Sequence, residues 1–200
     1  MKFYFFIFFF IFFISKNLYA DEATIWLKKE IDIILEAYKN QNLTSENRFL
    51  IIEKTINNNF AGTGIAKFVA GEAWRKSDKN TKKIYIENFK RHLALNIASM
   101  MQGYSDQTYE LTKSKYDSKN QVSLIDMKIF SDTGSLVVTW RVKESKDRFY
   151  VIDLIVADIS LVVTKRSEFN SMLKKVNNDL SQFNEVLLDQ NQTSYNKISN

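Results

Sequence analysis

The side chains most able to do chemistry are few in this sequence, which has one histidine and no cysteine. A Ser-His-Asp site would have to use His92, and no G-x-S-x-G nucleophile elbow is present to accompany it. A zinc site built from one histidine and scattered carboxylates would lack the usual ligand set. We therefore expect His92 to be a structural or solvent-facing residue, and we expect neither a metal nor a cofactor.

Two carboxylates, Asp153 and Asp158, interrupt the otherwise apolar stretch YVIDLIVADISLVVTKRSEF at residues 150–169. A buried, unpaired carboxylate is costly, so each aspartate needs an explanation. Either one serves as a general base at the floor of a cavity, or both lie on the outer face or at a bulge. Strand alternation predicts that Asp153 lies on the face opposite four apolar residues. These four, which would line the inner face, are Tyr150, Ile152, Leu154 and Val156. The outer-face interpretation, with Asp153 beside Val151 and Ile155, is favoured; Asp158 needs a bulge to leave the inner face.

The elements that must position these residues begin with helices. Apolar residues recur at helical spacing over residues 22–39, and a second helix follows a cap at Thr44 or Ser45. Residues 61–64, which contain two glycines, predict a turn with positive φ, followed by a short helix ending near Trp74. Ser77 is expected to cap the longest helix.

The hydrophobic period changes from 3.6 to two after about residue 104. Alternation predicts strands over 121–130, 134–143 and the stretch from residue 150, joined by turns at 131–135 and 144–147. A helix returns from Ser167, with a break at Asn177 and Asn178. This order predicts an α+β fold with helices packed on one face of a curved antiparallel sheet.

The amino terminus resembles a secretory signal. Lys2 precedes an apolar run at residues 3–14, which is short for a membrane span, and a small residue follows at Ala20. We expect cleavage after Ala20, a single domain at 21–189 and a polar, disordered tail at 190–200. An uncleaved membrane anchor is the alternative.

The charge of the chain argues against a nucleic-acid partner. The formal net charge of +5 falls to +3 if the signal, with its two lysines and no acids, is removed. The remaining lysines are scattered among acidic residues and form no basic stripe. GTGIAK at residues 62–67 lacks the spacing of a P-loop, so the chain is not expected to bind a nucleotide through that motif.

Two further segments carry recognisable motifs: TWR, YVID and ADISLVVTKRSEF between residues 139 and 169, and NNFAGTGIAKFVAGEAW at 58–74. Together with the final helix they resemble the MlaC family of periplasmic phospholipid-binding proteins, in which Asp153, Ser160, Thr164, Lys165 and Phe169 fall on the family pattern. The sequence departs from that pattern at Asp158 and Asn177, where glycine is usual, and in having no proline.

The resemblance implies an NTF2-like or cystatin-like fold with a hydrophobic cavity between helices and sheet. It implies that the protein is a periplasmic carrier of glycerophospholipid. Its implied partners are an inner-membrane ABC transporter complex with an MCE-domain protein and an outer-membrane lipoprotein complex, which together maintain outer-membrane lipid asymmetry. On this view the acyl chains contact the large apolar residues of both walls: Phe60, Phe68, Trp74, Tyr85, Phe89, Leu93, Ile97, Met101, Tyr104, Met127, Trp140, Ile152 and Leu154.

Other classes of function remain open at this point. An NTF2-like isomerase or dehydratase would use a pocket aspartate with a shifted pKa. An adaptor or chaperone would have a filled core and an exposed apolar patch. Lys165 and Arg166 either meet a phosphate or an acidic partner near the cavity mouth, or form a solvated strand end.

Overall fold

A computed structural model describes residues 15–104, 107–132 and 134–199. This part of the chain contains six helices, which are α1 (Ser15–Lys39), α2 (Ser45–Asn59), α3 (Gly62–Lys76), α4 (Lys79–Met101), α5 (Leu161–Lys175) and α6 (Leu180–Ser199). Its five strands are β1 (Thr108–Asp117), β2 (Val122–Ser131), β3 (Gly134–Ser145), β4 (Arg148–Val156) and β5 (Ile159–Ser160). The strands form one antiparallel sheet in the order β1-β2-β3-β4-β5, so the predicted α+β class is confirmed.

Of the two predicted helix caps, one is confirmed and the other is wrong. Thr44 caps α2 as predicted, with its hydroxyl accepting a hydrogen bond from the amide of Asn47. Ser77 does not cap α4; it ends α3, and its hydroxyl donates to the carbonyl of Ala73 at 2.7 Å. Asp78 is the cap instead, because its carboxylate accepts from the amides of Asn80 and Thr81.

The predicted turn at residues 61–64 is also wrong. Gly62 begins α3, and neither it nor Gly64 has positive φ. The left-handed residue in this region is Gly71, with φ of 56° and ψ of −113°, which kinks α3 within a single element. Neither of these two glycines is therefore required for turn geometry, and Gly62 alone is required for space, beside Lys90.

Strand β1 was missed by the sequence analysis, and a β-bulge alters the predicted faces of β4. Trp140 of β3 pairs with Leu154, whereas Val142 pairs with Val151, so one extra residue of β4 lies between the two pairs. Val151 is consequently buried in the same core as Leu154, and the simple alternation that placed them on opposite faces fails.

Three apolar clusters make up the core. The first joins α3, α4, α5 and α6 around Tyr85, Phe89 and Phe169. The second lies between α1 and the sheet, and the third joins α2, α4 and the end of α6. Phe60, in the link between α2 and α3, packs against all three clusters.

The carboxyl-terminal region is more ordered than the sequence suggested. Helix α5 begins at Leu161, six residues before the predicted start at Ser167. The break at Asn177 and Asn178 is confirmed, since both have positive φ. Residues 190–199 are helical, with Asn191 and Ile198 buried, so the expectation of a disordered tail is wrong for these residues.

The predicted signal falls mainly outside the described residues, because its apolar run lies within 1–14. Residues 15–20 form the start of α1. Among the described helices, none is both long and apolar enough to cross a membrane.

Candidate functional site: a cleft between the helices and the sheet

An open cleft with a volume of about 450 Å³ lies where the helices meet the sheet. Its walls come from the α2–α3 link and the first turn of α3, from α4, and from the facing ends of β3 and β4. The lining residues are Phe60, Ala61, Gly62, Thr63, Gly64, Lys90, Lys143, Ser145, Lys146, Tyr150 and Ile152. The cleft is thus apolar at Phe60, Tyr150 and Ile152 and cationic at its three lysines.

The α2–α3 link is fixed to the sheet at this point. The amide of Ala61 donates to the carbonyl of Val151 at 2.9 Å, and Phe60 forms a parallel bridge with the same residue. The link therefore behaves as a short extra strand along β4. Phe60 is held at the cleft wall while also contacting all three core clusters.

Lys90 reaches the cleft by crossing the start of α3. A Cβ atom at Gly62 would lie 2.8 Å from Cε and 2.9 Å from Cγ of Lys90, closer than ordinary van der Waals contact. The missing side chain at Gly62 is what lets the lysine stem lie there. At Gly64 a Cβ atom would have nothing within 4 Å, so this position faces open space.

Lys143 and Lys146 approach from the sheet. Lys143 is an exposed residue of β3 opposite Tyr150, and Lys146 lies in the β3–β4 turn with φ of 53°. A second cleft of about 350 Å³ shares the turn residues and has more acidic walls, lined by Tyr116, Gln121, Glu144, Ser145, Lys146 and Asp147. Lys146 therefore borders both clefts, whereas Lys90 and Lys143 border the first.

The thirteen predicted lipid-contacting residues are not brought together in one pocket. Two of them, Phe60 and Ile152, line the cleft. Most others are divided among the clusters: Trp74, Tyr85, Phe89 and Leu93 belong to the first, Met127, Trp140 and Leu154 to the second, and Leu93, Ile97 and Met101 to the third. Phe68 is 43% exposed under the guanidinium of Arg166, and the half-buried Tyr104 donates to the carbonyl of Gln107.

Two of the predicted residues carry buried polar atoms that no described residue satisfies. The hydroxyl of Tyr85 and the indole nitrogen of Trp140 have no hydrogen-bond partner in the described part of the chain. Burial raises the pKa of Tyr85, so its hydroxyl stays protonated and able to donate. An unsatisfied buried donor is costly, and it is a natural position for an acceptor from a ligand.

Asp153 is buried, at 3% exposure, and was expected on an outer face. Its carboxylate accepts from the hydroxyl of Ser160 at 2.7 Å, the amide of Val162 at 3.1 Å and, at 3.5 Å, the guanidinium of Arg141. These contacts join β4 to the start of α5, and Asp153 is absent from the cleft lining. Asp158, in contrast, is exposed in the β4–β5 turn with φ of 63°, where the bulge interpretation placed it off the inner face.

His92 is held inside the helical bundle. Its Nδ1 atom lies 3.3 Å from the amide oxygen of Asn191, and its ring packs edge-on against Phe169. Burial, aided by the charge of Lys165, lowers its pKa to about 4, so the imidazole is neutral near pH 7. No group of three or more potential metal ligands occurs within residues 15–104, 107–132 and 134–199.

Lys165 and Arg166 do not line the cleft. Lys165 pairs with Glu168 at 2.6 Å, and Arg166 stacks on Phe68 while donating to its carbonyl. The cations that do line it are Lys90, Lys143 and Lys146, which were not predicted from the sequence. No local pattern marks them, since they are brought together from α4 and the β3–β4 hairpin by the fold.

This chain was compared with protein families, curated proteins and solved structures. The model of the MlaC protein family matches residues 28–187. A solved structure described as the phospholipid-binding protein from Ralstonia solanacearum in complex with a phospholipid has the same fold, with a TM-score of 0.75 and 15% identity. The aligned region covers 86% of this chain and 98% of that one. A search of curated proteins found no match. The chain belongs to the MlaC protein family.

Proposed function

We propose that this protein binds a glycerophospholipid by its acyl chains and carries it between two membranes. The observation that carries the proposal is the position of the cleft, which opens beside Phe60 at the point where all three apolar clusters of an MlaC-family fold converge. The similarity in fold to a protein solved with a phospholipid supports the same class of ligand.

The acyl chains would pass Phe60 and enter the seam between the first and second clusters. The cleft volume of about 450 Å³ suits a small ligand, so two long chains require the seam to widen. The helices contact the sheet mainly through α1, α5 and the Phe60 link, which leaves this seam the natural place to separate. Movement of Phe60 would join the cleft to the interior.

The two unsatisfied donors belong to the two clusters on either side of the proposed path, Tyr85 to the first and Trp140 to the second. A diacyl phospholipid carries two ester carbonyls, which are hydrogen-bond acceptors next to the apolar chains. Seating the chains in the seam would bring an acceptor toward these donors and offset the cost of their burial.

The energetics favour a carrier of this kind. Each methylene removed from water contributes about 0.8 kcal/mol, so two acyl chains with roughly thirty methylenes resist entering water by more than ~20 kcal/mol. A carrier must replace the apolar contacts of the bilayer nearly one for one, and it must not exceed them by much or release would be too slow. An apolar, deformable interior meets this need without covalent chemistry.

An enzymatic role for Asp153 has little support. The carboxylate is occupied by Ser160, Val162 and Arg141, and it lies outside the cleft lining. A general base must reach the proton that it removes, and a group held by three donors away from the pocket does not. Ligand binding rather than catalysis is therefore the function that we propose.

The site of action that we propose is the periplasm, after export and cleavage following Ala20. The amino-terminal sequence and the resemblance to the family support this compartment. The partners would be an inner-membrane transporter complex with an MCE-domain protein and an outer-membrane lipoprotein complex. Exchange between them would maintain the lipid asymmetry of the outer membrane.

The proposed route of lipid through the cleft can be tested by obstructing the cleft with a large side chain. Gly64 faces open space in the cleft, and its φ is negative, so Gly64→Trp should fold while obstructing the entrance. Lipid-free protein would be mixed with phospholipid vesicles and the bound lipid quantified after separation. We expect bound lipid to fall at least tenfold for Gly64→Trp and to stay at the wild-type level for Gly103→Trp, a matched change at an exposed glycine outside the cleft lining. Equal uptake by both variants would contradict a route through the cleft.

A further inference from the structure

We propose that the cleft is a headgroup site in which Lys90, Lys143 and Lys146 bind a phosphodiester and select phospholipids with a net negative headgroup. This inference rests on the proposed function, because it assigns the headgroup end of the same ligand. It is carried by the chemistry of the cleft walls, where three cationic side chains from two separate regions of the fold face one cavity.

The three ammonium groups are free to bind an anion. Within residues 15–104, 107–132 and 134–199, none of them forms an ion pair with a carboxylate. This distinguishes them from Lys165, which Glu168 neutralises. Three like charges around one open volume repel each other, and a bound anion relieves that repulsion.

The absence of acidic residues from the cleft lining also affects which headgroups it would bind. Aspartate and glutamate are absent from its lining residues, so nothing there would pair with the ammonium of an ethanolamine or choline headgroup. Glu144 and Asp147 face the neighbouring cleft instead, together with Lys146. A zwitterionic headgroup would meet cations at both of its ends, whereas a glycerol headgroup would meet only favourable charge.

The position of the lysines fits the ligand orientation. Phe60, Tyr150 and Ile152 form the apolar part of the same cleft, and Phe60 leads to the three core clusters. A phospholipid has its phosphate next to its acyl chains, so a cationic rim beside an apolar entrance matches the molecule along its length. The hydroxyls of Ser145 and Thr63 in the lining add donors suited to phosphate oxygens.

The test is a competition between two lipids with identical chains. Lipid-free protein is mixed with vesicles of equimolar dioleoyl phosphatidylglycerol and dioleoyl phosphatidylcholine, and the bound lipids are separated and quantified. A basic residue near an anionic lipid contributes about fivefold in affinity. We expect the wild-type protein to prefer phosphatidylglycerol by at least about fivefold, and the double variant Lys90→Gln, Lys143→Gln to bind the two lipids in equal amounts.

A matched control separates this site from general attraction to an anionic surface. Lys54 and Lys174 are exposed residues outside the cleft, so the double variant Lys54→Gln, Lys174→Gln changes the net charge equally. It should keep the wild-type preference. Equal loss in this control, or an unchanged preference in the cleft variant, would overturn the proposal. Lys143→Gln alone alters an exposed side chain and should still lower the preference by about fivefold if the double variant does not fold.

Two further outcomes separate the headgroup proposal from the proposed function. Uptake of both lipids without preference would overturn the headgroup site and leave the carrier function standing. If the wild-type protein takes up neither lipid, the carrier function fails. In that case, calorimetric titration with millimolar inorganic phosphate tests whether the cleft binds free phosphate instead of a lipid headgroup. Phosphate binding that is lost with Lys90→Gln, Lys143→Gln would assign the cleft to free phosphate and overturn the lipid assignment.

Discussion

The backbone amide of Ala61 donates a hydrogen bond of 2.9 Å to the carbonyl oxygen of Val151, and this bond joins the helical half of the protein to strand β4. Ala61 itself lines the cleft, together with Phe60 and the first turn of α3. The cleft is therefore positioned by this main-chain contact together with the packing of Phe60 against all three clusters.

The contacts of Asp153 predict a structural role that substitution can measure. Asp153→Ala leaves the hydroxyl of Ser160 and the amide of Val162 without their acceptor, and it removes a buried group. Unsatisfied buried donors cost about 1–3 kcal/mol each. We expect the free energy of unfolding, measured by urea denaturation, to fall by about 2–4 kcal/mol.

Arg141 provides the matched comparison on the other side of this contact. Its side chain is 41% exposed and its guanidinium lies 3.5 Å from the buried carboxylate, so the pair is long and solvated on the arginine side only. Exposed ion pairs contribute about 1 kcal/mol at most. Arg141→Ala should therefore cost less than half as much as Asp153→Ala; equal costs would mean that the ion pair, rather than the two neutral donors, dominates.

Gly71 and Gly64 lie in one helix and should respond oppositely to alanine. Gly71 has φ of 56° and ψ of −113°, a conformation that an L-residue resists, so Gly71→Ala should lower the unfolding free energy by about 1–3 kcal/mol. Gly64 has helical backbone and open space around it, so Gly64→Ala should be neutral or stabilise by up to about 1 kcal/mol. Thermal melts of the two variants would measure the difference, and loss at Gly64 with none at Gly71 would contradict the kink.

The buried His92 predicts a pH dependence of stability. Its pKa is about 4 in the folded protein and 6.5 when unperturbed, so as pH falls below 6.5 the unfolded chain takes up a proton that the folded chain resists. Stability contributed by the neutral imidazole is therefore present above pH 6.5 and lost toward pH 4, by about 3 kcal/mol at most. Urea denaturation at pH 7 and near pH 4 should show this loss in the wild type and a smaller one in His92→Gln. Identical pH dependence in both proteins would place the histidine in water.

The end of α6 should contribute to stability. Ile198 is 5% exposed and packs in the third cluster with Phe49 and Ile52. Removing a buried isoleucine side chain costs about 2–5 kcal/mol, so Ile198→Ala should lower the unfolding free energy by an amount in that range. Lys197→Ala changes an exposed neighbour and should have little effect. A cost below about 0.5 kcal/mol for Ile198→Ala would indicate that the helix end is frayed.

The fold class could be predicted from the sequence because hydrophobic periodicity reports which residues face a core. It could not report the bulge in β4, where one extra residue places Val151 on the same face as Leu154. Strand β1 was not predicted because its sequence, TYELTKSKYD, is mostly polar and shows no clear alternation of apolar and polar residues. The helical tail was missed because its polar composition hides a narrow apolar stripe that includes Tyr195 and Ile198.

The candidate site was less predictable than the fold. Large apolar residues such as Tyr85 and Met127 were correctly assigned to the interior, but periodicity does not state which faces meet, and the two belong to different clusters. The cleft cations were not predictable at all. Lys90 lies 53 positions from Lys143, and only the tertiary packing of α4 against the link at Gly62 brings it to the same cavity as the hairpin.

We propose above that this protein binds a two-chain phospholipid. Native mass spectrometry of the lipid-free protein after incubation with phosphatidylglycerol vesicles tests it most directly. We expect a new species heavier than the polypeptide by the mass of bound lipid, and much less of that species for Gly64→Trp. A wild-type protein that keeps its bare polypeptide mass under these conditions would contradict the account.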